Sequence, residues 1–258
     1  GAISKDDTLF FTLTTSEATG NFEDYDITYS GGEVVSFSST SSTVYKLVFT
    51  PSSGASTIQV KANKFTDTAG NFNQASAVFS WTYDGEQPTM TITAANNTDV
   101  VIKNGSATND YPLMLTFTSS EATSNFVAGD VTVTGGTLTN FNASSDTVYT
   151  ATIAPSGDGL RTINVKANTF TDAAGNDNTA SAEFRWSFDG TDPGLVITAV
   201  NKNNIAVLDS SLTNDKNLFL TFTITEDVTT FGLEDISVTG GTISDFTASS
   251  AKIYTATF

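Results

Sequence analysis

Neither cysteine nor histidine occurs among the 258 residues of this chain. The first absence removes disulfides and thiolate metal sites. The second removes the commonest general base, the commonest zinc ligand and the usual nucleophilic triads. Basic residues are scarce as well: 11 Lys and Arg stand against 28 Asp and Glu, for a formal charge of −17. A negative field of that size opposes nucleic acid and anionic membrane, both polyanions, and suits a cation. Only 15% of the residues are charged, so Ser, Thr, Asn and Gly must supply most of the surface. No apolar run approaches the roughly 20 residues of a membrane helix, and direct membrane insertion is not expected. No secretory signal opens the chain, although a mature secreted segment would carry none. What is present suffices to build cores. With 38% apolar and 11% aromatic residues, the chain lies outside the disordered acidic class.

The chain repeats itself. "FTDTAGNFNQASAVFSWTYDGEQP" (65–88) aligns without a gap on "FTDAAGNDNTASAEFRWSFDGTDP" (170–193). Trp81 falls on Trp186 and Asp67 on Asp172, an offset of 105 residues. "TTSEATGNFEDYDITYSGG" (14–32) returns as "TSSEATSNFVAGDVTVTGG" (118–136) and, more loosely, as "TITEDVTTFGLEDISVTGG" (223–241). One residue is gained after Pro51, so the earlier offset is 104. We read repeat 1 at 1–84, lacking its first strand, repeat 2 at 85–189, complete, and repeat 3 at 190–258, lacking its last strands. The expectation is a window on a longer array, with strand donation by a neighbouring chain as the alternative.

Each repeat reads as strands. "PLMLTFT" alternates, as do "DVTVTG", "DTVYTATI" and "EFRWSF", and Val, Ile, Thr, Phe and Tyr dominate these runs. Gly-Gly, Asn-Gly and Asp-Gly punctuate them. In repeat 2 the spacing predicts strands over 90–103 (interrupted), 113–119, 130–134, 137–142, 147–153, 160–168 and 181–188. About seven short strands in some 100 residues predict an all-β fold of tandem immunoglobulin-like antiparallel β-sandwiches. Trp81 and Trp186 read as core anchors.

"SEATSNFVAGDVTVTGGTLTNF", "TVYTATIAPSGDG" and "NTFTDAAGNDNTAS", with an Asp-x-x-x-Pro joint, resemble the bacterial Ig-like tandem repeats of large extracellular surface adhesins. The resemblance covers the whole chain in one register. It departs in repeat 3 at "TEDVTTF", where Glu226 is nevertheless retained. What it implies is a rod-like extender at the cell surface, often stiffened by calcium at the joints.

The sandwich topology decides which acidic residues can meet. Connections after the second, fourth and sixth strands gather at the end where the chain arrives. In repeat 2 that end collects Glu121, Asp130, Asp172 and Asn176, joined by Asp84 and Glu86 of the preceding linker. The set at the next joint is Asp189, Asp192, Glu226 and Asp235; in repeat 1 it is Glu17, Asp26, Asp67 and Asn71. Hard oxygen donors without His or Cys fit Ca2+, which takes about six to eight of them. Turn chemistry stands beside this reading, because Asp and Asn before Gly bond local backbone and tolerate positive φ. The periodic Asp6, Asp110 and Asp215 read as solvated residues of the opposite end. Catalysis is not expected: the carboxylates recur at a domain period on loop ends, and no base stands ready to activate Ser or Thr. The expected function is a structural extender whose partners are adjacent repeats of the same chain. The alternative is a subunit segment of a surface layer or extracellular filament, partnered by identical chains.

Overall fold

The computed structural model describes residues 1–258, and its regular structure is strand with three short 3-10 turns and no α-helix. Repeat 1 contains β1 (Ala2–Ser4), β2 (Leu9–Thr14), β3 (Ile27–Ser30), β4 (Gly32–Ser41), β5 (Val44–Pro51), β6 (Gly54–Val60) and β7 (Phe79–Tyr83). Repeat 2 contains β8 (Met90–Ala95), β9 (Val101–Ile102), β10 (Ala107–Thr108), β11 (Leu113–Ser119), β12 (Val131–Thr134), β13 (Gly136–Ala143), β14 (Val148–Pro155), β15 (Gly159–Val165) and β16 (Phe184–Phe188). Repeat 3 contains β17 (Leu195–Val200), β18 (Ala206–Val207), β19 (Phe219–Ile224), β20 (Ser244–Ala248) and β21 (Ile253–Thr257). The chain forms two compact units, Gly1–Gly190 and Thr191–Phe258.

Repeat 2 is a sandwich of β13-β14-β11-β8-β9 on β10-β16-β15-β12. Period-two alternation builds it. β11 turns Leu113, Leu115 and Phe117 inward, and β14 turns Tyr149, Ala151 and Ile153 to meet them. The facing sheet contributes Ile163, Val165 and Trp186, the last wholly buried. Repeat 1 carries β2-β5-β4 against β1-β7-β6-β3 around Leu47, Phe49 and Trp81.

Two departures from the sequence reading have physical causes. The interrupted first segment resolves into β8 and β9, after which the chain crosses to the other sheet as β10 and pairs in parallel with β16. Two residues carry no readable period, so β10 was not predicted. In repeat 3 the match to β12, residues 236–239, is not a strand. β12 exists by pairing with β15, and the 258 residues hold no counterpart of that strand in repeat 3. Repeat 3 is accordingly one sheet, β18-β17-β19-β21-β20, covering a small cluster around Phe222 and Tyr254.

Two local devices recur in all three repeats. The first Gly of each Gly-Gly turn (Gly31, Gly135, Gly240) sits at φ of 71°, 73° and 80°, where a side chain would be strained. A tyrosine hydroxyl also latches the loop after the second long strand. Tyr149 donates to the Thr123 carbonyl at 2.7 Å, Tyr45 to Thr19 at 3.1 Å and Tyr254 to Val228 at 3.2 Å. Because Tyr149 and Thr123 are both buried, Tyr149→Phe is expected to cost about 1–2 kcal/mol, read as a lowered urea midpoint at unchanged slope.

Candidate metal centre

The site begins with a buried asparagine. Asn178 is fully enclosed. Its Oδ1 accepts from the backbone N–H groups of Thr169 and Phe170, and its Nδ2 donates to the carbonyls of Lys166 and Thr179. Those four bonds close the 166–179 loop on itself. Asn125 ties the loop to its neighbour, accepting from Thr171 N–H at 3.1 Å and donating to Thr171 Oγ1 at 3.3 Å. Thr123 and Asp172 form a backbone bridge between the same segments. Neither Asn178 nor Asn125 was singled out from sequence. Asn178 and Asn73 occupy matched positions in the long repeated string, which was the available signal.

On this frame Asp172 is oriented by Asn176. The Asn176 N–H reaches Asp172 Oδ1 at 2.9 Å, and its Nδ2 reaches Oδ2 at 2.9 Å. The same Nδ2 donates to the Asp84 carbonyl at 2.8 Å, joining the linker to the loop. Pro88, buried, adds its carbonyl as acceptor for Thr179 N–H. Lys5 comes to this loop as well, donating to the Gly175 carbonyl rather than to a carboxylate.

Asp84, Glu121 and Asp172 are thereby brought together: one carboxylate oxygen from each lies within 4.8 Å of the others. Asp172 is buried, and Asp84 and Glu121 are half-buried. Burial pushes the Glu121 carboxyl above its ordinary value, and the charges of Asp84, Asp172 and Glu86 push it further. Burial works in the same direction on Asp172, but the Asn176 side chain and the backbone N–H groups of Asn176, Gly175 and Ala174 outweigh it, leaving that carboxyl below its usual range. One carboxylate is thus held ionised by donors while its neighbour resists ionisation, an arrangement that a cation among the three would relieve. The donor set is all hard oxygen, which fits calcium better than softer metals.

The other sequence-picked residues fall elsewhere. Asp130 Oδ2 accepts from Val127 N–H, closing a 3-10 turn, and Asp26 and Asp235 do the same for Glu23 and Gly232. Their carboxylates act as turn caps, outside the three-carboxylate group. Glu86 is exposed; its N–H donates to Asp84 Oδ1 at 3.2 Å. In repeat 1, Asp67 repeats the Asp172 geometry, with Asn71 N–H and Nδ2 each at 2.8 Å, and Glu17 stands beside it. The Asn71 side chain and backbone donors hold Asp67 below its usual range. Asp189 donates its N–H to the Thr108 carbonyl within the first unit. In the second unit Asp192 is exposed and Glu226 half-buried. At the opposite end, Asp110 accepts from Thr108 and Asn96, and Asp215 accepts from Thr213 and Asn201. These aspartates bond their own loops rather than being merely solvated.

The bacterial Ig-like domain matches this chain three times, at residues 1–83, 84–187 and 198–258. Among solved structures, that of Yersinia pseudotuberculosis InvD is similar over 86% of this chain and 67% of its own, at 14% identity and a TM-score of 0.35. No curated protein matches.

Proposed function

The chain belongs to the bacterial Ig-like domain family, and we propose that it is an extender segment of an extracellular repeat protein, stiffened by calcium between repeats 1 and 2. Domains of this family are structural modules rather than an enzymatic family, and they are typically extracellular or surface exposed. No helix here is long and apolar enough to cross a membrane. We assign no catalytic role to any residue.

The observation that carries the calcium reading is the meeting of Asp84, Glu121 and Asp172 within 4.8 Å. They come from three separate segments: the linker, the end of β11 and the 166–179 loop. Unit charges about 4 Å apart repel by roughly 4 kcal/mol at an effective dielectric of about 20. Without a cation the linker carboxylate has reason to swing away. Calcium supplies charge and coordination, and Asn176 already holds the linker backbone at the loop. The chain's own part is to keep the oxygens gathered, so that linker and loops are tied as one piece.

Small-angle scattering of the 258-residue protein in calcium and in chelator tests this, beside an Asp84→Ala, Glu121→Ala double variant. Chelation is expected to shorten the average maximum dimension and lower Tm, and the variant to give the same two values in calcium as in chelator. If neither quantity responds to chelation, the three carboxylates are turn formers and solubilising charge.

A further inference from the structure

Three stretches of chain meet at the joint between repeats 1 and 2, and their hydrogen bonds close a ring. β1 runs parallel to β7 with Ser4 opposite Tyr83. In that register the Ser4 carbonyl accepts from Asp84 N–H at 3.0 Å. The carbonyl of the same Asp84 accepts from Asn176 Nδ2 of repeat 2 at 2.8 Å. Asn176 follows Gly175, whose carbonyl accepts from Lys5 Nζ, and Lys5 follows Ser4. Residues 4–5, 84 and 175–176 are thus joined in one cycle, inside the single compact unit Gly1–Gly190. Every acceptor in the cycle is a backbone carbonyl.

The two bonds that cross the joint act differently. A covalent linker is one point of attachment, and the bodies it joins can turn about it. The bond from Asn176 to the Asp84 carbonyl sits on the linker itself, so it braces that point and leaves a rotation around it. The bond from Lys5 to the Gly175 carbonyl lies off the linker, between the β1–β2 turn and the 166–179 loop, and opposes that rotation. An exposed hydrogen bond is weak between free molecules. Here the linker already holds donor and acceptor side by side, so the bond forms within one molecule and a small energy decides the angle. Lys5 is particular to this joint. At the far end of repeat 2 the first leg of the cycle recurs, with the Thr108 carbonyl accepting from Asp189 N–H at 3.1 Å. The position matched to Lys5 is there Asn109, shorter and uncharged.

We infer that Lys5, the Asp84 peptide and the Gly175–Asn176 pair form a clasp that holds the angle between repeats 1 and 2 without metal, with Lys5 as the residue that stops rotation about the linker. The clasp and the three-carboxylate group share the 166–179 loop but not their oxygens. The clasp is built on carbonyls, and the side-chain oxygens of Asp84, Glu121 and Asp172 stay outside it. The inference does not rest on the calcium reading. With the cation removed, the clasp limits how far the joint bends.

The test compares the whole 258-residue protein with Lys5→Ala and Lys5→Arg variants, all in chelator. Lys5 is exposed, so the circular dichroism spectrum and the amide exchange of β11 and β14 should hold in both. Lys5→Ala is expected to shorten the maximum dimension from small-angle scattering below that of the unaltered protein in the same buffer. The Asn176 side-chain amide protons, followed by nuclear magnetic resonance, should exchange about threefold to tenfold faster, the factor that one exposed hydrogen bond commands. Lys5→Arg, which keeps a donor of similar reach, is expected to match the unaltered protein. Unchanged scattering or unchanged Asn176 exchange in Lys5→Ala overturns the inference, as does a Lys5→Arg protein that behaves like Lys5→Ala. The calcium reading fails separately. A dimension that ignores calcium yet shortens with Lys5→Ala keeps the clasp without the metal, and the reverse result keeps the metal without the clasp.

Discussion

Asn178→Ala is expected to lower the stability of the Gly1–Gly190 unit by about 3–5 kcal/mol, the largest single-residue loss outside the aromatic core. The change removes four hydrogen bonds at once and strands two backbone N–H groups and two carbonyls. Each buried group left unpaired costs roughly 1–3 kcal/mol, tempered where water can follow. Asn73 makes the same four bonds in repeat 1, to Lys64, Phe65, Lys61 and Gln74. It is only half-buried, however, so Asn73→Ala should cost about 1–2 kcal/mol, since solvent can replace part of what is lost. Denaturant midpoints of the two variants measure the difference. Equal losses would mean that the 166–179 loop draws its order from elsewhere. Asn178→Ala should also weaken calcium binding, because the loop it closes carries Asp172.

Glu121→Gln is expected to raise Tm in chelator and to abolish most of the Tm gain expected from calcium in the unaltered protein. The sign follows from the carboxyl's displacement. Its folded pKa lies above the ordinary glutamate value, so the folded chain keeps a proton that the unfolded chain has released. Between those two values stability falls as pH rises, and above the folded value the metal-free protein carries the full penalty. A neutral amide removes that penalty and flattens the slope. Asp172 acts oppositely: its lowered pKa adds stability above the ordinary aspartate value, lost as pH falls through the folded one. Calcium at about 100 times its dissociation constant stabilises by about 2.7 kcal/mol. A Glu121→Gln protein that responds to calcium as fully as the original would remove Glu121 from the ligand set. Thermal melts from pH 4 to 8, with and without calcium, contain both readings.

Strand positions were legible because alternation is written residue by residue. Phe184, Trp186 and Phe188 point one way along β16, and all three are buried as that spacing predicts. What escaped depends on partners distant in sequence. β10 pairs with β16 alone, and the match to β12 in repeat 3, where the 258 residues hold no counterpart of β15, is not a strand. The acidic residues divide in the same way. Topology pointed to Asp84, Glu121 and Asp172 as neighbours, since three loops at one end of a sandwich must meet. It offered no means of separating them from Asp130, because an aspartate that caps a 3-10 turn and one that faces a cation look alike at the start of a strand. The separation needed the Val127 N–H and its direction. The framing amides Asn178 and Asn125 went unnoticed because the polar positions of the repeated string were read for charge, whereas the loop is held by neutral donors and acceptors.

The parallel pairing of β10 with β16, and of β1 with β7, bears on how such a module meets tension. In repeats 1 and 2 a strand from the beginning of the fold runs in the same direction as the strand at its end. A pull on the two chain ends therefore drags these strands in opposite senses along their own length. In repeat 2, β8 is dragged likewise against the six residues of β11 that face it. The ladder bonds are then strained side by side rather than opened one after another, as they would be if the load peeled a hairpin from its tip. Survival under such a load is a matter of rupture rate rather than equilibrium stability. A tether made of these modules would yield late and abruptly, holding its length until whole strands slip.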